Sequence, residues 1–350
     1  MTTPTPINRR HLLQLLGGGA AATLVTGVTG CGGGGGSQLR LSHQWPESSG
    51  QEGDFRSQIA QRFADQVGRE TNGEVEVRIY PNASLVGADE QYRAVAQGTI
   101  DMTLLPIAYA VGQHPAFAIT DLPCLVKNHT QARNWQDAEI GARVESIFER
   151  NGSKILVWNW NSFCLGRKQG PPVVRPGDIR PGEVWRGGSP QMEAMLERTG
   201  ASITSMPSSE VYSALQTGVV SALATSPASF RSYRLYEQTA SYTSPTRNTL
   251  GFYFEPLLIG LEQYRRLPGE VQQAFDGAGS ALQDFAYEAS AEDDRVTERR
   301  VRQAGDTIAT IDDAAFADWA RLAPPVWDRF VGNIPNGRQL LELAQQVPQT

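Results

Sequence analysis

The sequence predicts an α/β fold for the chain beyond about residue 37. Short segments with the alternation typical of β-strands recur along the chain, amphipathic helical segments lie between them, and Gly and Pro residues mark the boundaries. Strands that alternate with helices favour parallel sheets covered by helices on both faces. With 350 residues, the chain is long enough for two modest domains, each with its own core.

The first third of the chain begins the alternation. Phe55, Ile59 and Phe63 recur at helical spacing, and Gly98 is a typical residue to end a helix. We predict strands over residues 39–42, 74–80 and 100–105, and helices over residues 54–68 and 89–96.

The remainder repeats this scheme and then changes to a long helix. A Pro/Gly-rich connection covers residues 170–182. Pro268 suits the first turn of a helix, and the helix predicted from there to about residue 304 is far longer than the usual length of about 11–12 residues. We predict strands over residues 154–160, 183–186, 202–205, 219–225 and 252–260, and further helices over residues 190–198 and 209–216.

The N-terminus has the features of an export signal over residues 1–31. The pair Arg9-Arg10 precedes a weakly apolar stretch, which is typical of twin-arginine export. Small residues then lead to Cys31, as in a lipobox whose cleavage leaves a lipidated cysteine. An uncleaved anchor and a signal cut elsewhere are the alternatives. Residues 32–37 are glycines followed by a serine and predict a flexible tether, and no later segment is apolar enough to span a membrane.

Composition excludes several classes of function. The chain has 31 basic and 37 acidic residues, and removal of the leader would take away two arginines and no acid. This balance argues against binding to nucleic acid or to an anionic membrane surface. The sequence also lacks a phosphate loop, a dinucleotide fingerprint, a nucleophile elbow and histidines at metal-ligand spacing. We therefore expect no catalytic residues, no metal and no cofactor.

Cys124 and Cys164 either pair in an oxidising compartment or remain separate buried thiols.

One short segment predicts an anion site. Arg186 ends a predicted strand and is followed by Gly187, Gly188, Ser189 and Pro190, while the strand over 219–225 ends in Ser226-Pro227. Ligands of open α/β sheets bind at the carboxyl ends of strands, and helix N-termini offer free N–H groups. The guanidinium fork of Arg186 matches a carboxylate. The alternative is an arginine in a structural salt bridge beside ordinary helix caps.

Aromatic residues near predicted strand ends are candidate walls of a pocket. Trp45 follows the first strand, Trp160 lies between Asn159 and Asn161, and Tyr253 comes shortly before Glu255. Small-molecule pockets are mostly apolar with a few placed polar groups. Because side chains alternate along a strand, only one face of residues 158–161 can line a cleft. The alternative for each aromatic residue is ordinary core packing.

In these residues the chain resembles the substrate-binding proteins of tripartite ATP-independent periplasmic (TRAP) transporters, of the C4-dicarboxylate-binding type. The stretch from Asp178 to Arg186 is similar to a family segment whose final arginine clamps the ligand carboxylate. The resemblance covers residues 39–329 and includes motifs in family order: Gly98–Met102, Asp121–Pro123, Gly200-Ala201, Ser209–Tyr212, Ala214–Val220 and Leu267-Pro268.

The resemblance implies two α/β lobes of a type II-like periplasmic-binding-protein fold, joined by crossing strands and braced by the long helix. Arg186 would anchor the ligand carboxylate when the lobes close around it. The chain departs from the sialic-acid-binding members at Ser208, where they have an aromatic residue, and Arg167 is offset from their second arginine; both differences disfavour sialic acid. Further pocket positions carried over from the family are Gln44, Pro106, Thr225, Ser226, Tyr253 and Glu255.

From these observations we expect lobe I to comprise residues 38–162 plus about 253–293, and lobe II to comprise residues 163–252 plus about 294–350. The expected function is capture of a small organic acid, a mono- or dicarboxylate, outside the cytoplasm and its delivery to the membrane subunits of a TRAP permease. The protein would be periplasmic and attached to the membrane by lipid alone. A sensory receptor of the same fold and an enzyme are the rival interpretations.

Overall fold

The computed structural model describes residues 37–48 and 53–350. The predicted export signal, with Cys31, and the tether as far as residue 36 lie outside the described residues. Along the part of the chain that is described, no helix is both long and apolar enough to cross a bilayer.

The described residues contain thirteen β-strands: β1 (Ser37–His43), β2 (Val75–Tyr80), β3 (Met102–Leu104), β4 (Ser153–Val157), β5 (Trp160–Ser162), β6 (Cys164–Arg167), β7 (Val184–Arg186), β8 (Ser202–Ile203), β9 (Ala222–Thr225), β10 (Ser241–Ser244), β11 (Phe252–Phe254), β12 (Leu257–Gly260) and β13 (Thr307–Thr310).

The same ranges of the chain contain twelve α-helices: α1 (Phe55–Glu70), α2 (Gln91–Ala96), α3 (His129–Asn134), α4 (Glu139–Arg150), α5 (Pro190–Glu197), α6 (Val211–Thr217), α7 (Pro227–Ser232), α8 (Leu261–Arg266), α9 (Gly269–Ala304), α10 (Asp313–Ala320), α11 (Pro324–Asn333) and α12 (Gly337–Gln345). Short 3-10 helices cover Ile107–Ala110, Pro115–Asp121, Pro176–Asp178, Ser208–Glu210 and Leu235–Glu237.

Two mixed sheets form the two lobes. The first sheet has the order β2-β1-β3-β12-β4, and the second has the order β13-β10-β6-β9-β7-β8. In each sheet one strand runs against all the others: β12 in the first sheet and β6 in the second. The expectation of parallel sheets is therefore right except at these two strands. Strands β12 and β6 each follow a segment that crosses from one lobe to the other, and so they enter their sheet in the opposite direction.

The crossing segments pair with each other between the lobes. Strand β5 follows β4 of the first sheet and precedes β6 of the second. Strand β11 crosses back, because it follows β10 of the second sheet and precedes β12 of the first. These two strands form an antiparallel ribbon in which Phe252 is opposite Ser162 and Phe254 is opposite Trp160. The single strands predicted over 154–160 and 252–260 are thus each divided in two, one part in a sheet and one in the ribbon. The two-lobed fold with crossing strands is confirmed.

Helix α9 braces this arrangement along its 36 residues. Phe275 and Leu282 of α9 belong to the core of the first sheet, whereas Val301 belongs to the core of the second. Gly305, in the left-handed region at φ 99°, ends the helix. Each large apolar side chain fully buried in this way stabilises the fold by about 1.5–3 kcal/mol.

The C-terminal helices touch both halves of the molecule. Helix α11 packs against α5, which follows a strand of the second sheet, while α12 packs against α4, which precedes a strand of the first. The lobe boundaries given above stay a prediction.

Cys124 and Cys164 are both free and buried. The Cys164 thiol donates a hydrogen bond to the Thr225 carbonyl oxygen at 3.2 Å.

Candidate ligand-binding site

The two Ser-Pro segments begin helices at neighbouring strand ends. Strand β7 runs parallel to β9, so both strands end at the same edge of the second sheet. Ser189 accepts a hydrogen bond from the Met192 N–H and caps α5, and Ser226 accepts one from the Ser229 N–H and caps α7. Sequence reasoning predicted both caps correctly. The arrangement brings two loops and Arg186 to one edge of the sheet.

Arg186 is buried, with 1% of its surface exposed. Its Nε donates to the Met206 carbonyl at 3.1 Å and its Nη1 to the Ala224 carbonyl at 3.0 Å. Its Nη2 lies 3.2 Å from Ser208 Oγ and 3.4 Å from Tyr109 Oη. Within residues 37–48 and 53–350, no carboxylate oxygen lies within 4.0 Å of the guanidinium nitrogens. The positive charge is therefore held by neutral acceptors alone, unlike an arginine in a structural salt bridge.

Gly188 lets the loop after β7 pass close to this guanidinium. Its φ of +84° lies in the left-handed region that favours glycine. A Cβ atom at this position would lie 2.1 Å from Tyr253 Oη and 2.7 Å from Arg186 Nη1. Any side chain here would occupy the space beside the arginine.

Tyr109, from the first lobe, closes the site from the opposite side. Its hydroxyl accepts the N–H of Ser208 at 3.0 Å and lies 3.4 Å from Gln44 Nε2. The main-chain carbonyl oxygen of Gln44 accepts a hydrogen bond from Tyr233 Oη of the second lobe at 2.9 Å. These contacts join the two lobes across the cleft, so the structure is that of a closed protein.

A second arginine near the cleft is fully neutralised. Arg56 follows Asp54, the N-cap of α1, and its Nε and Nη2 meet the two Asp54 carboxylate oxygens at 2.9 and 2.6 Å. Its Nη1 lies 3.0 Å from Glu255 Oε2 and also contacts the hydroxyls of Ser226 and Ser229. Burial raises the pKa of Glu255 to about 7, although the neighbouring Arg56 charge opposes the shift.

In the closed structure the cleft enclosed by these groups has a free volume of only about 10 Å³, enough for about one water molecule. A ligand would therefore enter the cleft only when the lobes move apart. The residues that line it are Pro106, Tyr109, Arg186, Gly188, Ser208, Thr225, Ser226, Ser229, Tyr253 and Glu255.

The structure brings six of the nine candidate ligand-binding residues to the cleft lining: Pro106, Arg186, Thr225, Ser226, Tyr253 and Glu255. Gln44 and Trp45 lie one layer behind it. Gln44 contacts Tyr109, and the ring of Trp45 lies 4.1 Å from the Arg56 guanidinium carbon.

Trp160 lies elsewhere, in an aromatic cluster of the core. Its ring centroid is 4.6 Å from that of Phe254 and 5.3 Å from that of Trp135. The adjacent Asn161 donates a hydrogen bond to Glu255 Oε2. The alternation along β5 therefore directs the asparagine towards the cleft side and the tryptophan towards the core.

Sequence reasoning missed several residues of the site, above all Tyr109, Arg56 and Ser229. Tyr109 and Arg56 are far from Arg186 along the chain, and only the fold brings them near it. A local signal existed for Ser229, because it lies three residues after the helix cap at Ser226 and so shares the first turn of α7. In the described ranges, no group of three or more His, Cys, Asp or Glu side chains is placed to hold a metal ion.

The fold and the cleft together define a two-lobed binding protein that encloses a small ligand between its lobes. A family model described as bacterial extracellular solute-binding protein, family 7 (DctP) matches residues 41–333. The chain belongs to this family.

Two relatives support the assignment over nearly the whole chain. A solute-binding protein of Albidiferax ferrireducens is 32% identical over 342 residues, which are 97% of this chain and 100% of the relative. The 2,3-diketo-L-gulonate-binding periplasmic protein of Escherichia coli is 26% identical and covers 82% of this chain and 87% of its own length.

A solved structure agrees with this result. The crystal structure of a TRAP periplasmic solute-binding protein from Rhodoferax ferrireducens, with bound malonate, superposes with a TM-score of 0.85 at 32% identity. The match covers 88% of this chain and 98% of the other.

Proposed function

We propose that this protein captures a small carboxylate-bearing organic acid outside the cytoplasm and delivers it to the membrane subunits of a TRAP permease. The observation that carries the proposal is the buried guanidinium of Arg186, which has no acidic partner and lines the cleft between the lobes. An arginine in this setting binds a carboxylate through charge-assisted hydrogen bonds, contributing about 1.5–3 kcal/mol net. Bound malonate in the relative from Rhodoferax ferrireducens is consistent with this ligand class.

Binding and release would follow from a hinge motion of the two lobes. The lobes are connected by the β5-β11 ribbon and by α9, and they meet through Tyr109, Ser208, Gln44 and Tyr233. Asp54 and Arg56 of the first lobe also contact Ser226, Ser229 and Ser232 of the second. Opening the cleft would break polar contacts of this kind while the lobe cores remain intact. The ligand is held and released unchanged, so the function that we propose is transport and not catalysis.

The first test is a thermal-shift screen of organic acids, followed by calorimetric titration of the wild type, Arg186→Lys and Arg186→Ala with the acid that binds. A ligand that binds only the native state raises the apparent melting temperature. Lysine keeps the charge but loses the planar fork, so we expect Arg186→Lys to weaken binding by at least about tenfold, which corresponds to about 1.4 kcal/mol. Arg186→Ala should weaken it further.

Wild-type affinity in Arg186→Lys would contradict the clamp. Mass spectrometry of the ligand after incubation checks that it is unchanged, and conversion of the ligand would favour an enzyme. Genes for TRAP membrane subunits beside the gene for this chain would favour transport, whereas a neighbouring sensor gene without them would favour the sensory receptor.

We further propose that the chain is exported by the twin-arginine route and attached to the membrane by a lipid on Cys31. The support is the sequence pattern alone: the Arg9-Arg10 pair, the small residues before Cys31 and the glycine-rich segment after it. Cys31→Ala should release the protein from the membrane fraction while its melting temperature stays unchanged. A membrane-bound Cys31→Ala protein would refute the lipid attachment.

A further inference from the structure

Two arginines and two carboxylates lie buried around the cleft, and their pairing is unequal. Arg56 contacts both acids, with Nη2 2.6 Å from Asp54 Oδ2 and Nη1 3.0 Å from Glu255 Oε2. Arg186 contacts neither of them. When Glu255 is ionised, the formal charges of these four groups sum to zero, but neither acid pairs with the positive charge at Arg186.

Arg56 is poorly placed to anchor a second ligand carboxylate, because it does not belong to the residues that line the cleft. Asp54 occupies its Nε and Nη2, and Glu255 together with the hydroxyls of Ser226 and Ser229 occupies its Nη1. The ring of Trp45 covers one face of the guanidinium. A carboxylate that displaced either of the two buried acids would leave that acid unpaired at high cost in free energy.

Glu255 sets the chemistry of the wall across from Arg186. Its side chain lines the cleft and is 2% exposed. Both of its oxygens accept hydrogen bonds from Arg56, and Oε2 also accepts one from Asn161. A carboxylate oxygen has about two acceptor sites, so capacity remains for a donor from the ligand. A second carboxylate in the same place would put two negative charges together in a space with little water.

We infer that the ligand carries a single carboxylate, held by Arg186, and a neutral hydrogen-bond donor such as a hydroxyl or amide that faces Glu255. This inference rests on the proposed function and specifies its ligand class. It distinguishes this chain from a receptor for dicarboxylates, in which hydrogen-bond donors or a cation, and not a carboxylate, would face the second carboxylate of the ligand.

The test uses acids that differ only in the second group. Malonate, succinate and glutarate are each compared with their half-amides, malonamate, succinamate and glutaramate, by calorimetric titration of the purified protein at about pH 8, above the pKa of about 7 of Glu255. We expect the half-amide to bind at least about tenfold more tightly in each pair that binds. Glu255→Gln removes the negative charge and should reduce this preference to less than about threefold, mainly because the dicarboxylate then binds more tightly.

The wild-type ratios decide the question even if Glu255→Gln folds poorly. A dicarboxylate that binds the wild type as tightly as its half-amide overturns the inference and leaves the proposed function standing, because a carboxylate is still bound. A preference that persists in folded Glu255→Gln overturns the role of Glu255. If neither these six compounds nor any acid of the thermal-shift screen binds, the proposed function fails and the inference fails with it.

Discussion

Two edges of the second sheet each carry a buried arginine at the end of a strand, and the two arginines have opposite surroundings. At the far edge, Arg167 ends β6 and pairs with both oxygens of Glu183, at 2.9 and 2.8 Å. At the cleft edge, Arg186 ends β7 and has only carbonyl and hydroxyl partners. Their exposed fractions, 2% and 1%, are almost the same.

Strand direction explains why they lie at different edges. Strand β9 lies between them, antiparallel to β6 and parallel to β7. The carboxyl end of β6 therefore points away from the cleft, where Arg167 also donates to the carbonyls of Pro171 and Asp178. The comparison teaches that burial alone does not identify a ligand-binding arginine. A buried arginine that pairs with a carboxylate of the protein contributes to the fold, whereas a buried arginine without such a carboxylate is suited to binding an anionic ligand.

The strongest test of this difference between the two arginines is to remove each of them in turn. Arg167→Ala would leave the largely buried side chain of Glu183 without its ion pair, and we expect a loss of up to about 3–5 kcal/mol in the free energy of unfolding. Arg186→Ala should change the ligand-free stability little or raise it, because the site holds an uncompensated cation. Denaturant unfolding of both variants without ligand measures the difference. Equal losses would mean that Arg186 is also a structural residue.

A pair of glycines tests whether the cleft edge is shaped for a ligand. Gly188 and Gly218 both have positive φ, +84° and +80°, but a Cβ at Gly218 would meet nothing within 4 Å. Both alanine variants should therefore lose about 1 kcal/mol or more of stability through backbone strain. Only Gly188→Ala should also lose ligand affinity, by at least about tenfold, because its methyl group would collide with Tyr253 and Arg186.

Calorimetric titration of the two glycine variants with one ligand separates these effects. Similar affinities in Gly188→Ala and Gly218→Ala would show that the space beside Arg186 is not used by the ligand.

The smallest expected effect is a pH dependence that is confined to the cleft edge. The pKa of Glu255, raised to about 7 by burial, lies in an accessible range. Arg56 holds the pKa of Asp54 below its usual value, and burial holds the pKa of Tyr233 well above its own. Among these groups and Arg186, Glu255 alone changes charge near neutral pH.

The sign of this dependence follows from the charge of Glu255. Ionised Glu255 repels an anionic ligand, so affinity should fall as the pH rises through the pKa of Glu255, by roughly threefold to tenfold between about pH 6 and about pH 8. Titration of a monocarboxylate at both values measures the effect, with Glu255→Gln as the control that should show none. Affinity that rises with pH in the wild type would contradict this assignment.

Part of the site could be predicted from local sequence because its geometry is local. The Ser-Pro caps of α5 and α7, the glycine next to Arg186 and the ends of β7 and β9 are decided by residues a few positions apart, through backbone conformation and capping. The 36-residue helix α9 follows in the same way from its spacing of apolar residues and from Pro268. These features were enough to point to Arg186 as an anion anchor.

Other properties depended on pairings between distant residues, and only the tertiary structure decided them. Arg56 meets Glu255 across 199 positions of the chain, and Arg186 meets Tyr109 across 77. Whether Arg167 or Arg186 has an acidic partner depends on which carboxylate the fold brings within reach. Trp160 faces the core because β5 pairs with β11 in one register. Local sequence determines backbone conformation, whereas ion pairing and the facing of side chains depend on neighbours that folding alone brings together.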